Sequence, residues 1–259
     1  MSQLQFTLLQ SALVWEDKEA NRRHFSQLIQ EHAQPGEIVV LPETFSTGFS
    51  MHTEGLAEPM SGPTLEWMQS MARDFRIILT GSFFVQEEDR HFNRLVWMQP
   101  DGQFGYYDKR HLFSYAEEDK QFSSGEKKLI TQVKGWKIRT IICYDLRFPV
   151  WCRQEASNPY DILLVVANWP MARVHAWKTL IQARAIENQC YVVAVNRTGE
   201  DGQGRTYSGA SCVVGPDGHF VELNEGENAI LKTSLNKEHL ITYRERFPFL
   251  KDADAFSLF

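Results

Sequence analysis

Trp136-Lys137-Ile138-Arg139-Thr140-Ile141-Ile142-Cys143-Tyr144-Asp145-Leu146-Arg147-Phe148-Pro149 is the stretch on which the fold turns. Its first seven residues are an apolar, β-branched run of a length that suits a buried strand. Pro149 fits the first turn of a following helix, where its missing N–H costs nothing and its fixed φ is already right. Cys143 then stands at a strand-to-helix turn whose backbone N–H groups point outward. Such a setting lowers a cysteine pKa and stabilises negative charge. A buried cysteine is more often an inert packing residue, so the thiol counts as a nucleophile only if the chain supplies it with partners.

Two further segments supply candidates. Ile38-Val39-Val40-Leu41-Pro42-Glu43 is a short strand that stops at a proline and delivers a carboxylate. Tyr106-Tyr107-Asp108-Lys109-Arg110-His111-Leu112-Phe113 follows the hairpin signal Pro100-Asp101-Gly102 and reads as a strand running out into a loop. Alone, Glu43 is a solvated loop acid and Lys109 part of a basic turn. Together with Cys143 they are three polar residues at strand C-termini, the places where layered α/β folds build their sites.

The rest of the chain alternates in the same way. Strands are expected over 4–10, 37–41, 76–85, 92–99, 103–108, 161–167, 189–196, 207–214 and 220–223. An amphipathic helix is expected over 17–33, a second starting within Ser61-Gly62-Pro63-Thr64 with Leu65, Met68, Ala72 and Phe75 along one face, and further helices over 174–188 and 236–247. Arg184 and Glu187, one turn apart, read as an ion pair that fixes their helix. Strands mixed with helices throughout predict an α/β layer fold, and no linker divides the 259 residues, so one domain, 1–259, is expected. The two turns Pro100-Asp101-Gly102 and Pro216-Asp217-Gly218 suit either two related halves or two independent hairpins.

A net charge of −6 without a basic block excludes a nucleic-acid partner. No apolar run approaches the roughly 18 residues of a membrane span, and Met1-Ser2-Gln3-Leu4-Gln5-Phe6 lacks a signal-peptide pattern. Cys143, Cys152, Cys190 and Cys212 form no CxxC pair and lie in apolar runs, which suits reduced thiols in a cytoplasmic protein. With no HExxH or His-rich spacing, neither a metal nor a cofactor is expected.

Glu43 in LPETF, Lys109 in YDKRHLF and Cys143 in ICYDLRFP resemble the Glu-Lys-Cys triad of the carbon–nitrogen hydrolase (nitrilase) superfamily, in the same order. The resemblance extends over nearly the whole chain through NRLVWMQPDGQ, QARAIENQCYVVAVNRTG and SGASCVVGPDGHF. CYDLRFP followed by VANWP is most similar to the bacterial ω-amidase branch, whose members hydrolyse the side-chain amide of α-keto acids such as 2-oxoglutaramate and 2-oxosuccinamate. The resemblance implies a four-layer α-β-β-α sandwich, pairing into homodimers through helical faces, and a second carboxylate after the lysine. Glu117 and Glu118 both stand there, and the distance to Gly125 favours Glu118.

Amide hydrolysis defines the roles. Glu43 would take the Cys143 proton, and Lys109 with the backbone N–H of Tyr144 would hold the oxyanion. A carboxylate at the far end of the substrate needs a cation. Arg173 is the candidate, with Asn168 and Trp169 lining the pocket and Phe45 and Phe113 walling it. Arg173 is equally a surface arginine near a helix start. Another amidase, an N-carbamoyl hydrolase or a nitrilase would keep the triad and change the rim. A non-catalytic scaffold, or a Cys–His hydrolase using His111 or His175, are the readings from other classes.

Overall fold

The computed structural model describes residues 3–155 and 158–257. Strand β1 (Gln3–Gln10) leads through helix α1 (Lys18–His32) to β2 (Ile38–Val40), and α2 (Pro63–Phe75) leads to the long hairpin of β3 (Ile78–Glu87) and β4 (Arg90–Met98), followed by β5 (Phe104–Asp108). The one-turn α3 (Glu118–Gln121) precedes β6 (Ile130–Val133) and β7 (Trp136–Ile142). A 3-10 turn (Cys143–Arg147) and α4 (Pro149–Cys152) then lead to β8 (Ile162–Ala167). A second 3-10 turn (Met171–Arg173) opens α5 (Val174–Asn188). Strands β9 (Tyr191–Asn196), β10 (Thr198–Glu200), β11 (Thr206–Val214), β12 (Phe220–Glu225) and β13 (Ala229–Asn236) follow, and then α6 (Lys237–Arg246).

Among the described residues these strands make two sheets. One runs β13-β1-β2-β3-β4-β5; the other runs β10-β11-β9-β8-β7-β6, with β12 paired to β11. β1, β2 and β3 are parallel to one another, as are β7, β8 and β9.

The period-two alternation of the strands divides the core. In β2, Ile38 and Val40 join a cluster shared with β7, β8 and β9, while Val39 joins one shared with α1 and α2. In β4, Leu95 and Trp97 go to the first cluster and Val96 and Met98 to the second. Helix α1, capped by the Asp17 carboxylate on the N–H of Ala20, buries Phe25 and Ile29 against the first sheet. Helix α2 has Pro63 in its first turn and buries Leu65, Met68 and Ala72 there. On the other side α5 buries Trp177, Ile181 and Ala185 against the second sheet. The layers are helix, sheet, sheet, helix, the expected sandwich. Among the described residues no helix is long and apolar enough to cross a membrane.

The sequence pattern missed β6, β10 and β13. Strand β13 carries Lys232, Thr233 and Ser234 between its apolar ends, and only Leu231 and Leu235 of its residues are buried, so no alternation marks it. It nonetheless pairs with β1 along its whole length, from Gln3 opposite Asn236 to Gln10 opposite Ala229. The Pro-Asp-Gly turns join β4 to β5 and β11 to β12 as hairpins.

The loops after β2, β5, β7 and β8 carry Glu43, Lys109, Cys143 and Asn168. The exit of β5 is held by Gly125, whose N–H donates to the Lys109 carbonyl at 2.9 Å. A Cβ at Gly125 would lie 2.2 Å from the Asp108 carbonyl oxygen, a clash with backbone rather than with a mobile side-chain tip. Gly125→Ala is therefore expected to cost about 1–3 kcal/mol, as for other overpacked sites. A urea-denaturation midpoint equal to that of the parent would refute this.

Candidate active site

Pro42 ends β2, and Thr44 turns the chain with φ at 42°, its N–H held by Ser82 Oγ at 2.8 Å. This bend buries Glu43 completely. One carboxylate oxygen of Glu43 accepts from Lys109 Nζ at 2.9 Å and from Asn93 Nδ2 at 2.8 Å. The other accepts from the backbone N–H of Asn168 at 2.7 Å. Asn168 Nδ2 also donates to the Glu43 carbonyl at 2.7 Å and to Thr44 Oγ1 at 2.8 Å. Glu43 comes from one sheet and Asn168 from the other, so these bonds join the two sheets at the site.

Lys109 is buried, with its ammonium 3.0 and 2.9 Å from the two Glu118 oxygens and 5.0 Å from the centre of the Phe49 ring. Glu118 opens α3, also accepts from the N–H of Phe113 at 2.6 Å, and is fully buried. Glu117 is exposed and pairs with Lys120 at 2.5 Å. Of the two acids it is Glu118 that reaches the lysine. Burial works against the Lys109 charge, but the Glu118 and Glu43 carboxylates outweigh it and raise its pKa, so the ammonium stays charged. Burial raises the Glu118 carboxyl; the Lys109 charge opposes this and the Glu43 charge adds to it.

Cys143 has φ at 42° and begins a 3-10 turn, not the helix expected directly after the strand; Pro149 opens α4 only after that turn. The N–H of Tyr144 precedes the first bond within the turn, so the turn itself does not use it. Buried Asp145 fixes the turn by accepting from the N–H of Ile142 at 3.0 Å, from Tyr107 Oη at 2.7 Å, and from the N–H and Nδ1 of His111 at 2.9 and 2.8 Å. Behind it Arg184, paired with Glu187 at 3.1 Å, donates to the Leu146 carbonyl at 2.6 Å. The ion pair read from sequence exists, and its arginine also braces the Cys143 turn. The thiol points at the Asn168 carbonyl, 4.0 Å away. Its pKa is not lowered as the turn suggested. Burial first, and then the Glu43 carboxylate, push it well above the ordinary value, against the pull of Lys109.

Glu43, Lys109 and Cys143 line one cleft with Phe49, Phe113, Tyr144, Asn168 and Trp169. Arg147, Arg173, Arg205 and Tyr207 complete its wall. Phe45 is not part of it. The Thr44 bend turns that ring into the helix-side core, against Phe25, Trp67 and Phe83, and Phe49 takes the place expected for it. His111 is held by Asp145 and stacked on Phe148 with ring centres 3.7 Å apart, and neither it nor His175 lines the cleft. Among the described residues no group of three His, Cys, Asp or Glu side chains is placed to hold a metal ion.

The carbon–nitrogen hydrolase family profile matches residues 3–245. The chain belongs to that family. The hydrolase is 42% identical to the omega-amidase YafV of Yersinia enterocolitica over the whole of both chains. It is 30% identical to the 2-oxoglutaramate amidase of Bacillus subtilis, over 86% of this chain and 87% of that one. The solved structure of XC1258 from Xanthomonas campestris, a CN-hydrolase superfamily protein with an arsenic adduct in its active site, superimposes with a TM-score of 0.96 at 41% identity over all of both chains.

Several residues of the hydrolase site escaped the sequence reading. Asn93 touches Glu43 at 2.8 Å and Glu118 at 3.4 Å, yet it stands beside Arg94 in the polar first half of β4, where an amide attracts no notice. Arg205 and Tyr207 come from the β10–β11 hairpin, far in sequence from Glu43, Lys109 and Cys143.

The electrostatics set a pH experiment. The Glu43 charge raises the Cys143 thiol, so removing that charge must lower it. In Glu43→Gln, alkylation of Cys143 by iodoacetamide, which needs the thiolate, is expected to set in at lower pH than in the parent. A rate-against-pH curve displaced upward would contradict this. Cys152 and Cys190, buried and pushed up to about 12, stay unlabelled meanwhile.

Proposed function

We propose that this carbon–nitrogen hydrolase is an ω-amidase. It cleaves the side-chain amide of α-keto acids, 2-oxoglutaramate and 2-oxosuccinamate, to the dicarboxylate and ammonia through a cysteine thioester. The observation that carries the reading is the cleft itself, whose lining combines a thiol and a buried carboxylate with the guanidinium groups of Arg147 and Arg173. Among the described residues neither Arg147 nor Arg173 is paired with a carboxylate. In a protein of net charge −6, two unneutralised cations at a cleft wall suit an anionic substrate.

Glu43 is the base in this reading. It accepts the Cys143 proton as sulfur attacks the amide carbon, because a thiol raised by burial and by a neighbouring charge does not ionise unaided. The oxyanion takes the Lys109 ammonium and the Tyr144 N–H; one such donor lowers a barrier by about 3–4 kcal/mol. Glu43 passes its proton to nitrogen, the C–N bond breaks, and ammonia leaves a thioester. Water, deprotonated by Glu43, then adds to the thioester; the C–S bond breaks and the thiol regains the proton. Glu118 keeps Lys109 charged and in place. Arg173 receives the distal carboxylate, and Trp169 and Phe113 form the walls. The working unit is one domain, 1–259, acting in the cytoplasm as a homodimer.

Cys143→Ala is expected to abolish ammonia release. Glu43→Gln and Lys109→Ala should each lower kcat by on the order of 10², and the double variant should be little worse than either, since the groups act as a unit. Multiplying losses would argue against a shared site. Lys109→Ala should also destabilise the fold by about 3–5 kcal/mol, because it strands two buried carboxylates, so its kcat is read on the folded fraction.

Arg173→Ala should reduce kcat/KM for 2-oxoglutaramate by about 30-fold or more, the low end of the cost of leaving a bound carboxylate unpaired. A small neutral amide should change far less. Equal losses on the two substrates would make Arg173 a structural residue.

A further inference from the structure

Arg147 lies four residues after Cys143, on the same 3-10 turn. Its guanidinium lies over the Trp169 ring at 4.8 Å, and the indole N–H of Trp169 donates to the Arg173 carbonyl at 2.8 Å. The Arg173 guanidinium lies over Phe113 at 5.4 Å. Each cation thus lies over an aromatic ring of the cleft, and among the described residues neither guanidinium makes an ion pair, which leaves its N–H donors to be met by a ligand. One guanidinium suffices for one carboxylate. The second needs another acceptor close to it on the same ligand.

We propose that Arg147 reads the 2-position of the substrate, accepting a 2-oxo group and rejecting a 2-amino group. This rests on the ω-amidase reading. A 2-oxo acid ends in three oxygen acceptors and carries no donor there, matching two groups that are only donors. A 2-amino acid of the same length puts an ammonium where Arg147 waits, so two cations face each other and the donors go unmet. A ligand with hydrogen at that position is neither held nor repelled. The order of preference is then 2-oxo, unsubstituted, 2-amino. Because Arg147 shares a turn with Cys143, holding the 2-oxo group also fixes the amide carbon relative to the sulfur.

The test compares 2-oxoglutaramate, glutaramate and glutamine as substrates of the full chain, by ammonia release. In the parent, kcat/KM should fall in that order. In Arg147→Met the preference for 2-oxoglutaramate over glutaramate should shrink by about 10-fold or more, and glutamine should gain relative to glutaramate. Arg147→Lys keeps the charge, loses the planar fork and should fall between. Equal proportional losses on all three substrates in Arg147→Met overturn the inference alone and leave Arg147 as a brace for Trp169. Should Arg147→Met fail to fold, the lysine variant decides, and a ratio equal to the parent's overturns the inference. A parent that prefers butyramide to both 2-oxoglutaramate and glutaramate overturns the ω-amidase reading, and this inference with it.

Discussion

An ammonium held between two carboxylates, all three buried, is the constraint around which this molecule is arranged. Lys109 sits 2.9 Å from an oxygen of Glu43 and 2.9 and 3.0 Å from those of Glu118. Desolvating three charges is expensive, and their attraction offsets the cost only if the remaining lone pairs are met. The structure meets them with the Asn93 amide, the Asn168 N–H and the Phe113 N–H. The match is incomplete, for the amide oxygens of Asn93 and Asn168 are buried without a partner. These donors come from β4, from the loop after β8 and from the loop after β5, that is, from both sheets. The sandwich must therefore close in one register for the charges to be tolerated at all, and the same closure brings Cys143 to Glu43.

That arrangement explains why the thiol is raised rather than lowered. A strand-to-turn position offers N–H groups, which favour a thiolate, but the cluster also places a negative carboxylate beside the sulfur and excludes solvent. Burial and the Glu43 charge win. The consequence is chemical economy in the proposed mechanism. The proton sits on sulfur until a substrate arrives and moves to Glu43 as the bond forms, so the base is loaded with the proton that the leaving nitrogen needs. A thiolate formed by loss of its proton to solvent would leave Glu43 with none to give.

Legibility in the sequence followed locality. The strands that deliver Glu43, Lys109 and Cys143 are short apolar runs bounded by proline, by a Pro-Asp-Gly turn or by a polar exit, and each signal lies within a few residues of the group it positions. The choice of Glu118 over Glu117 also rested on short-range spacing. What stayed hidden depends on contacts far apart in sequence. Strand β13 looks too polar for a strand because its partner, β1, lies over two hundred residues away. Phe45 was misplaced because adjacency to Glu43 says nothing about direction, and the positive φ of Thr44 turns the ring to the opposite layer. Asn93 gave no signal because a buried amide acquires a purpose only when its two carboxylates are known.

Asp145 joins these levels. Its carboxylate gathers the N–H groups of Ile142 and His111 and the hydroxyl of Tyr107. His111 lies two residues past Lys109 and Tyr107 two before it, so one buried acid clamps the lysine loop to the Cys143 turn across the sheet interface. Tyr107 in turn accepts from Trp151 Nε1 at 3.0 Å, and Arg184 holds the far end of the turn through Leu146. Neither Asp145 nor Arg184 lines the cleft. Their part is to fix where the sulfur stands relative to the ammonium, and misplacement of reacting groups by as little as about 1 Å can cost on the order of 10² in rate. A rigid core thus acts on the Cys143 turn through one backbone carbonyl, a tyrosine hydroxyl and a few N–H groups, so that Cys143, the proposed nucleophile, lies on a clamped turn rather than on a free loop.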